Sequence, residues 1–106
     1  MLFRSAAKPV RVSSEQVATT LRDLMIQVVT SGTGVAAALP GVQVAGKTGT
    51  AETNVPHVYT AWFVSFAPAD NPKVAVAVVL EKQLNGFGGA VAAPIAKQLM
   101  QALLPG

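Results

Sequence analysis

The sequence predicts an α/β (α+β) chain in which a three-stranded antiparallel sheet portion is backed by an N-terminal and a C-terminal helix. Three observations carry that expectation. Apolar residues recur at helical spacing near both ends of the chain. Three runs rich in β-branched or aromatic residues lie between them, at 42–50, 59–67 and 73–81. The turn joining the last two, Pro68 to Pro72, is far too short for the crossover that parallel strands need, so those strands pair antiparallel.

Taken in order, residues 1–12 show no periodicity and are read as a leader, with the domain spanning 13–106. Ser13 has the chemistry of a helix N-cap, and Gln16 completes a capping box. Val17, Leu21, Leu24 and Val28 then trace one apolar face of a helix at about 14–30, ended by Gly32 and Gly34. Pro40-Gly41 marks a turn before the first strand, Val42 to Thr50. The polar, proline-bearing stretch Glu52 to Val58 is a loop. Tyr59 to Ala67 is the second strand, and Lys73 to Glu81 the third. The third is apolar on both faces, the pattern of a strand covered on both sides. Gln83 to Gly89 reads as a glycine-rich loop. A last helix covers about Ala90 to Leu104, with Pro94 in its first turn and Ile95, Leu99 and Leu103 on its buried face.

Both helices are expected on one face of the sheet, which leaves a second apolar face with no segment to cover it. Composition agrees. Of 106 residues, 51% are hydrophobic and only 12% charged, more apolar surface than a small single domain hides by itself. A partner segment is therefore expected, and the chain alone should be only marginally stable.

Net charge is +3, but the basic residues are scattered from Arg4 to Lys97 and form no phosphate-tracking stripe, which argues against nucleic acid. With no cysteine and a single histidine, His57, neither a metal site nor a metal cofactor is expected. No apolar run reaches the roughly 18 residues of a membrane span, and Met1 to Arg4 is too short for a signal peptide.

The stretch GVQVAGKTGT, Gly41 to Thr50, carries the chemistry. As text, Gly41 with Gly46-Lys47-Thr48 matches the phosphate-binding G-x-x-x-x-G-K-[ST] loop. That loop needs a helix opening at Lys-Thr, because the helix N-terminus holds the phosphate. The residues that follow, GTAETNVP, cannot support one, and the residues between the glycines are strand-like. The bland reading of Lys47 is a solvated edge-strand lysine that discourages edge pairing.

GKTGTAE at 46–52 also carries a Lys-Thr-Gly, a signature of penicillin-binding proteins and serine β-lactamases. Around it, in order, stand PGVQVAGKTGTAE, AWFVSFAPA, PKVAVAVVLE and GGAVAAPIAKQLMQALL. Together with the preceding helix these segments resemble the C-terminal end of a class B penicillin-binding protein, of the actinobacterial penicillin-binding protein A type, over about residues 13–104. The resemblance implies part of a serine D,D-transpeptidase domain that binds peptidoglycan stem peptides or β-lactams and forms a serine acyl-enzyme. It also implies a parent anchored in the cytoplasmic membrane, with this domain on the outer side and in a cell-wall synthesis complex.

By that resemblance Lys47 supplies positive charge at the substrate carboxylate and assists proton transfer. The hydroxyls of Thr48 and Thr50 donate to the carboxylate, and Gly49 lets an extended peptide lie close. The Thr50 N–H corresponds to an oxyanion-hole donor. A regular pleat, however, sends Lys47 to the opposite face from Thr48 and Thr50.

The family also needs Ser-x-x-Lys and Ser-x-Asn, and no Ser-x-Asn occurs here. Ser5-Ala6-Ala7-Lys8 matches the first as text, but Pro9 disfavours the helix it requires. Leu2 to Ser5 also matches what the end of a common short-read sequencing adapter encodes, which would make the first residues an assembly artefact. The expectation is that the nucleophile and the rest of the domain lie outside this chain, and that the chain alone is inactive. A phosphate-binding domain and a non-catalytic peptide-binding module remain as alternatives.

Overall fold

The computed structural model describes residues 8–105. Ser5, Ala6 and Ala7 of the Ser-x-x-Lys text match and the adapter-like start lie outside them. Residues 8–12 are exposed and in neither helix nor strand. Helix α1 spans Glu15–Ser31, strands β1, β2 and β3 span Ala45–Glu52, Val58–Ala67 and Val74–Leu84, and helix α2 spans Ala93–Leu103. The strands form one antiparallel sheet in the order β1-β2-β3, as the hairpin argument requires.

The N-cap of α1 is Ser14, one residue later than expected. Its Oγ accepts the Val17 N–H at 3.1 Å, and Glu15 places an acid in the first turn, where the helix dipole favours it. At the far end the N–H groups of Gly32 and Gly34 both return to the Val28 carbonyl. The buried face of α1 is rotated from the expected one. Val29 is buried and Arg22, Met25 and Ile26 are partly so, a spacing of three, one and three; of the expected face Val28 is partly buried, whereas Val17, Leu21 and Leu24 are exposed. The apolar pattern allows both faces, and packing against β1 selects the first.

Strand β1 starts later than Val42. The β1–β2 register pairs Ala45 with Phe66, so a longer β1 would meet Pro68, which has no N–H to give. The Gln43 carbonyl instead accepts the Ala69 N–H at 2.8 Å, tying the β2–β3 turn to the entry of β1. Val42 is used in the Pro40-Gly41 turn, where it bridges Leu39 and Gly41 takes a φ of +73°. At its other end β1 extends to Glu52, opposite Tyr59. Strand β3 runs three residues past Glu81. A bulge at Glu81-Lys82, with Lys82 at positive φ, lets Gln83 and Leu84 pair with Tyr59 and Val58.

The expected last helix is two pieces. Gly88–Ala92 makes one wide π-type turn, and α2 proper begins at Ala93 with Pro94 in its first turn, where the missing N–H costs nothing. Ala93, Ala96 and Met100 are its buried face, not Ile95, Leu99 and Leu103, which are exposed. The two alanines let the helix sit close to the sheet. Ala61, Phe63, Ser65, Val76 and Val78 face it, and buried Ser65 donates to Met100 Sδ.

Helix α1 does not lie beside α2 on that face along its whole length. It packs on β1. Its C-terminal Val29 joins the Phe63–Met100 core, while Ala18, Thr19 and Arg22 line a hollow with Phe66 of the opposite face. Alternation in β3 is clear: Val76 and Val78 are buried, and Ala75, Ala77 and Val79 are not. Among the described residues β3 is therefore covered on one side only, along with the half-exposed Trp62 and Val64 of β2.

Candidate functional site

Gly46-Lys47-Thr48 lies inside β1, an edge strand, and no helix opens at Lys47. Without that helix N-terminus there is no phosphate cradle, and the nucleotide alternative falls.

The register distributes the four candidate residues between the two faces. Thr48 pairs with Phe63 and Thr50 with Ala61, so both side chains stand on the α2 side. Lys47 pairs with Val64 and Gly49 with Trp62, on the open side. Lys47 is exposed, and its Nζ folds back to donate to the Thr48 carbonyl oxygen. Among the described residues no carboxylate is within ion-pair reach of it, so its charge is free for a ligand. The pleat thus separates the ammonium from the two hydroxyls, and only at the outer edge of β1 can one ligand meet all three.

Each hydroxyl is held from behind. Thr48 Oγ1 lies 2.8 Å from Thr33 Oγ1, in the loop after α1. Thr50 Oγ1 accepts the Gly88 N–H at 3.2 Å. Both contacts depend on absent side chains. A Cβ on Gly88 would lie 2.2 Å from the Trp62 carbonyl oxygen and 2.7 Å from that of Gly49, and one on Gly89 would lie 2.1 Å from the Thr33 carbonyl oxygen. On the open side, a Cβ on Gly49 would rest 3.3 Å from Trp62 Cβ, a tight but not impossible approach. The bare Gly49 leaves a flat strip beside Lys47 against which an extended chain can lie.

Gly46 has a different task. A Cβ there would come within 2.6 Å of the Phe63 ring, so its place is set by the core and not by a ligand.

The structure therefore keeps Lys47, Thr48, Gly49 and Thr50 on one edge strand and adds Thr33, Gly88 and Gly89, which the sequence reading passed over. The adjacent glycines at 88 and 89 were the one available signal, since a glycine pair marks close backbone approach as readily as flexibility. Thr33 carried none.

Comparison with known proteins gives a consistent result. The family model for the penicillin binding protein transpeptidase domain matches residues 4–101. Peptidoglycan D,D-transpeptidase PbpA of Mycobacterium tuberculosis is 46% identical over 104 residues, which cover 91% of this chain and 21% of that protein. PbpA of Mycolicibacterium smegmatis is 48% identical over 105 residues, covering 89% and 20%. The ceftriaxone acyl-enzyme structure of penicillin-binding protein A from M. tuberculosis matches with a TM-score of 0.80 at 44% identity, over 90% of this chain and 22% of that one. The chain spans about a fifth of the length of the curated relatives it matches.

Proposed function

The chain belongs to the penicillin-binding protein transpeptidase family, and on that premise we propose that residues 13–106 form the C-terminal part of a peptidoglycan D,D-transpeptidase domain, one wall of an active site whose nucleophile lies in the rest of that domain. The observation that carries this reading is the edge strand itself. It offers a free ammonium, a bare glycine strip and two pre-held hydroxyls along one accessible margin.

The reaction assigns each a task. A serine hydroxyl from the rest of the domain attacks the D-Ala-D-Ala carbonyl. The terminal D-Ala leaves as an amine, and the amine of a second stem peptide takes the acyl group from the serine. The donor strand ends in a carboxylate, and Thr48 and Thr50 donate to it while Lys47 supplies charge and assists proton transfer. Alternate residues of an edge strand turn their backbone groups outward. Lys47 reaches the Thr48 carbonyl, which marks Thr48 as one such position. Thr50, two residues on, is the next, and its N–H is suited to the developing oxyanion. β-Lactams, which carry both a reactive carbonyl and a carboxylate, fit the same wall.

The parent protein in this reading is anchored in the cytoplasmic membrane, with this domain on the extracytoplasmic side, and works in a cell-wall synthesis complex on stem peptides. The open sheet face with Trp62, Val64 and Val79 is where the remainder of the domain packs.

The test is acylation by a fluorescent penicillin. The complete protein, expressed with its upstream coding sequence, should form a denaturation-stable adduct, and the 106-residue chain should form none. No adduct on the complete protein, or an adduct on the chain alone, overturns the assignment. Binding of a D-Ala-D-Ala peptide without turnover by the complete protein would support a peptide-binding module in its place.

A further inference from the structure

We propose that the Thr33 hydroxyl and the Gly88 amide are positioning groups that set the donor direction of Thr48 and Thr50 toward a substrate carboxylate, an inference that rests on the function proposed above. A hydroxyl has one proton to give and two lone pairs to accept with. A backbone N–H can only donate. The Gly88 N–H at 3.2 Å therefore occupies a lone pair of Thr50 Oγ1 and leaves the Thr50 proton for an outside acceptor. That is the polarity an ionised carboxylate demands, because it accepts and cannot donate.

The Thr33–Thr48 pair works in the same sense. Across their 2.8 Å contact one proton is shared. When Thr33 donates it, the proton of Thr48 is released toward the edge of the strand. Thr33 carries no further role on this wall, whereas Thr48 adjoins Lys47, so this is the arrangement that a bound anion selects.

The two groups are parts of one frame. The Thr33 carbonyl sits where a Gly89 side chain would be, and Gly88 rests on the backbone of Gly49 and Trp62 with no room for a Cβ. The loop after α1 and the turn before α2 thus meet behind β1, the loop touching it through the Thr33 hydroxyl and the turn through backbone atoms of Gly88. The contact holds both hydroxyls in place before any ligand arrives, so little ordering is left for the substrate to impose.

The experiment uses the complete protein and two acylating agents, a labelled penicillin and the same compound with its carboxylate esterified. Thr33→Val keeps the branched shape and removes the hydroxyl, and Thr33→Ser restores it. The second-order acylation rate of Thr33→Val with the free carboxylate should fall about three- to tenfold, the worth of one ordinary hydrogen bond. Its rate with the ester should be unchanged, and Thr33→Ser should recover the wild-type preference for the carboxylate. For the second group, the Gly88 amide should exchange with solvent faster in Thr50→Val than in wild type, and at the wild-type rate in Thr50→Ser. An equal loss on both agents marks Thr33 as structural and overturns the proposal, as does no loss on either, or unchanged Gly88 exchange in Thr50→Val. A wild-type protein that no penicillin acylates sinks the proposed function, and this inference with it. Normal wild-type acylation with indifferent Thr33 variants sinks this inference alone.

Discussion

The two faces of the sheet are built from the same three strands and have opposite fates. On the α2 side Phe63 is completely buried, and Val76, Val78 and Met100 close around it. On the other side, one residue along each strand, Trp62 is 42% exposed, Val64 39% and Val79 41%. The residue types barely differ, since both faces are apolar. What differs is that, among the described residues, one face is covered by α2 and the end of α1 and the other is left open. Strand β1 carries the same division into the site. Thr48 and Thr50 are anchored on the covered side, and Lys47 is presented on the open one. The covered face should therefore hold the fold, and the open face should be nearly free to change in the isolated chain.

The sharpest way to break that comparison is to truncate one aromatic on each side. Phe63→Ala removes a fully buried ring and should destabilise by about 3–5 kcal/mol. A chain of marginal stability would not survive that loss, and its urea transition should vanish. Trp62→Ala should lower the unfolding free energy by less than about 1 kcal/mol in the same chain. Comparable losses at both positions would mean that the open face is ordered by something in the chain itself. The next largest effect belongs to Gly88→Ala, whose Cβ would press on the Trp62 carbonyl oxygen. Displacing the turn should cost about 1–3 kcal/mol, read from the same titration. An unchanged midpoint would show that the turn is not seated on β1 as described.

Smaller again is the cap of α1. Ser14→Ala removes the acceptor of the Val17 N–H and should cost about 1 kcal/mol. Ser13→Ala, at the position first expected to cap, should cost nothing measurable. The pair of titrations separates the two serines directly.

The cap illustrates what the sequence discloses and what it does not. Local chemistry was legible: the turn at Pro40-Gly41, the hairpin over Pro68–Pro72, both helices, the three strands and the edge position of Lys47-Thr48-Gly49. Choices between two locally equivalent options were not. Ser13 and Ser14 both have a serine's capping chemistry. Helix α1 has two apolar faces, and α2 has one of Ile95, Leu99 and Leu103 and another of Ala93, Ala96 and Met100. In each case tertiary packing decides, and in α2 it favours alanines because a small face lets a helix approach the sheet. Strand ends failed for a related reason. Where β1 begins depends on Pro68, more than twenty residues away, and where β3 stops depends on a bulge opposite Thr60. The site followed the same rule. Its front, Lys47 to Thr50, is contiguous and visible as a motif, while its back, Thr33 and Gly88, comes from two distant loops joined only by the fold.

The smallest effect on stability should come from Lys47→Ala, and it separates fold from function most cleanly. The side chain is exposed, and its hydrogen bond in the structure goes to the carbonyl of its own neighbour. An exposed contact of this kind contributes little, so the unfolding free energy read from the urea titration should change by no more than about 0.5 kcal/mol. On the function proposed above, the same change in the complete protein removes the positive charge beside the substrate carboxylate and the group assigned to proton transfer. Penicillin acylation should then slow by about 10²- to 10⁴-fold. Both readouts are needed. A large loss of stability would place Lys47 among the residues that hold β1. An acylation rate within a few-fold of wild type would make it the solvated edge lysine that its exposure alone suggests, and would move the chemistry of this wall onto the two threonines.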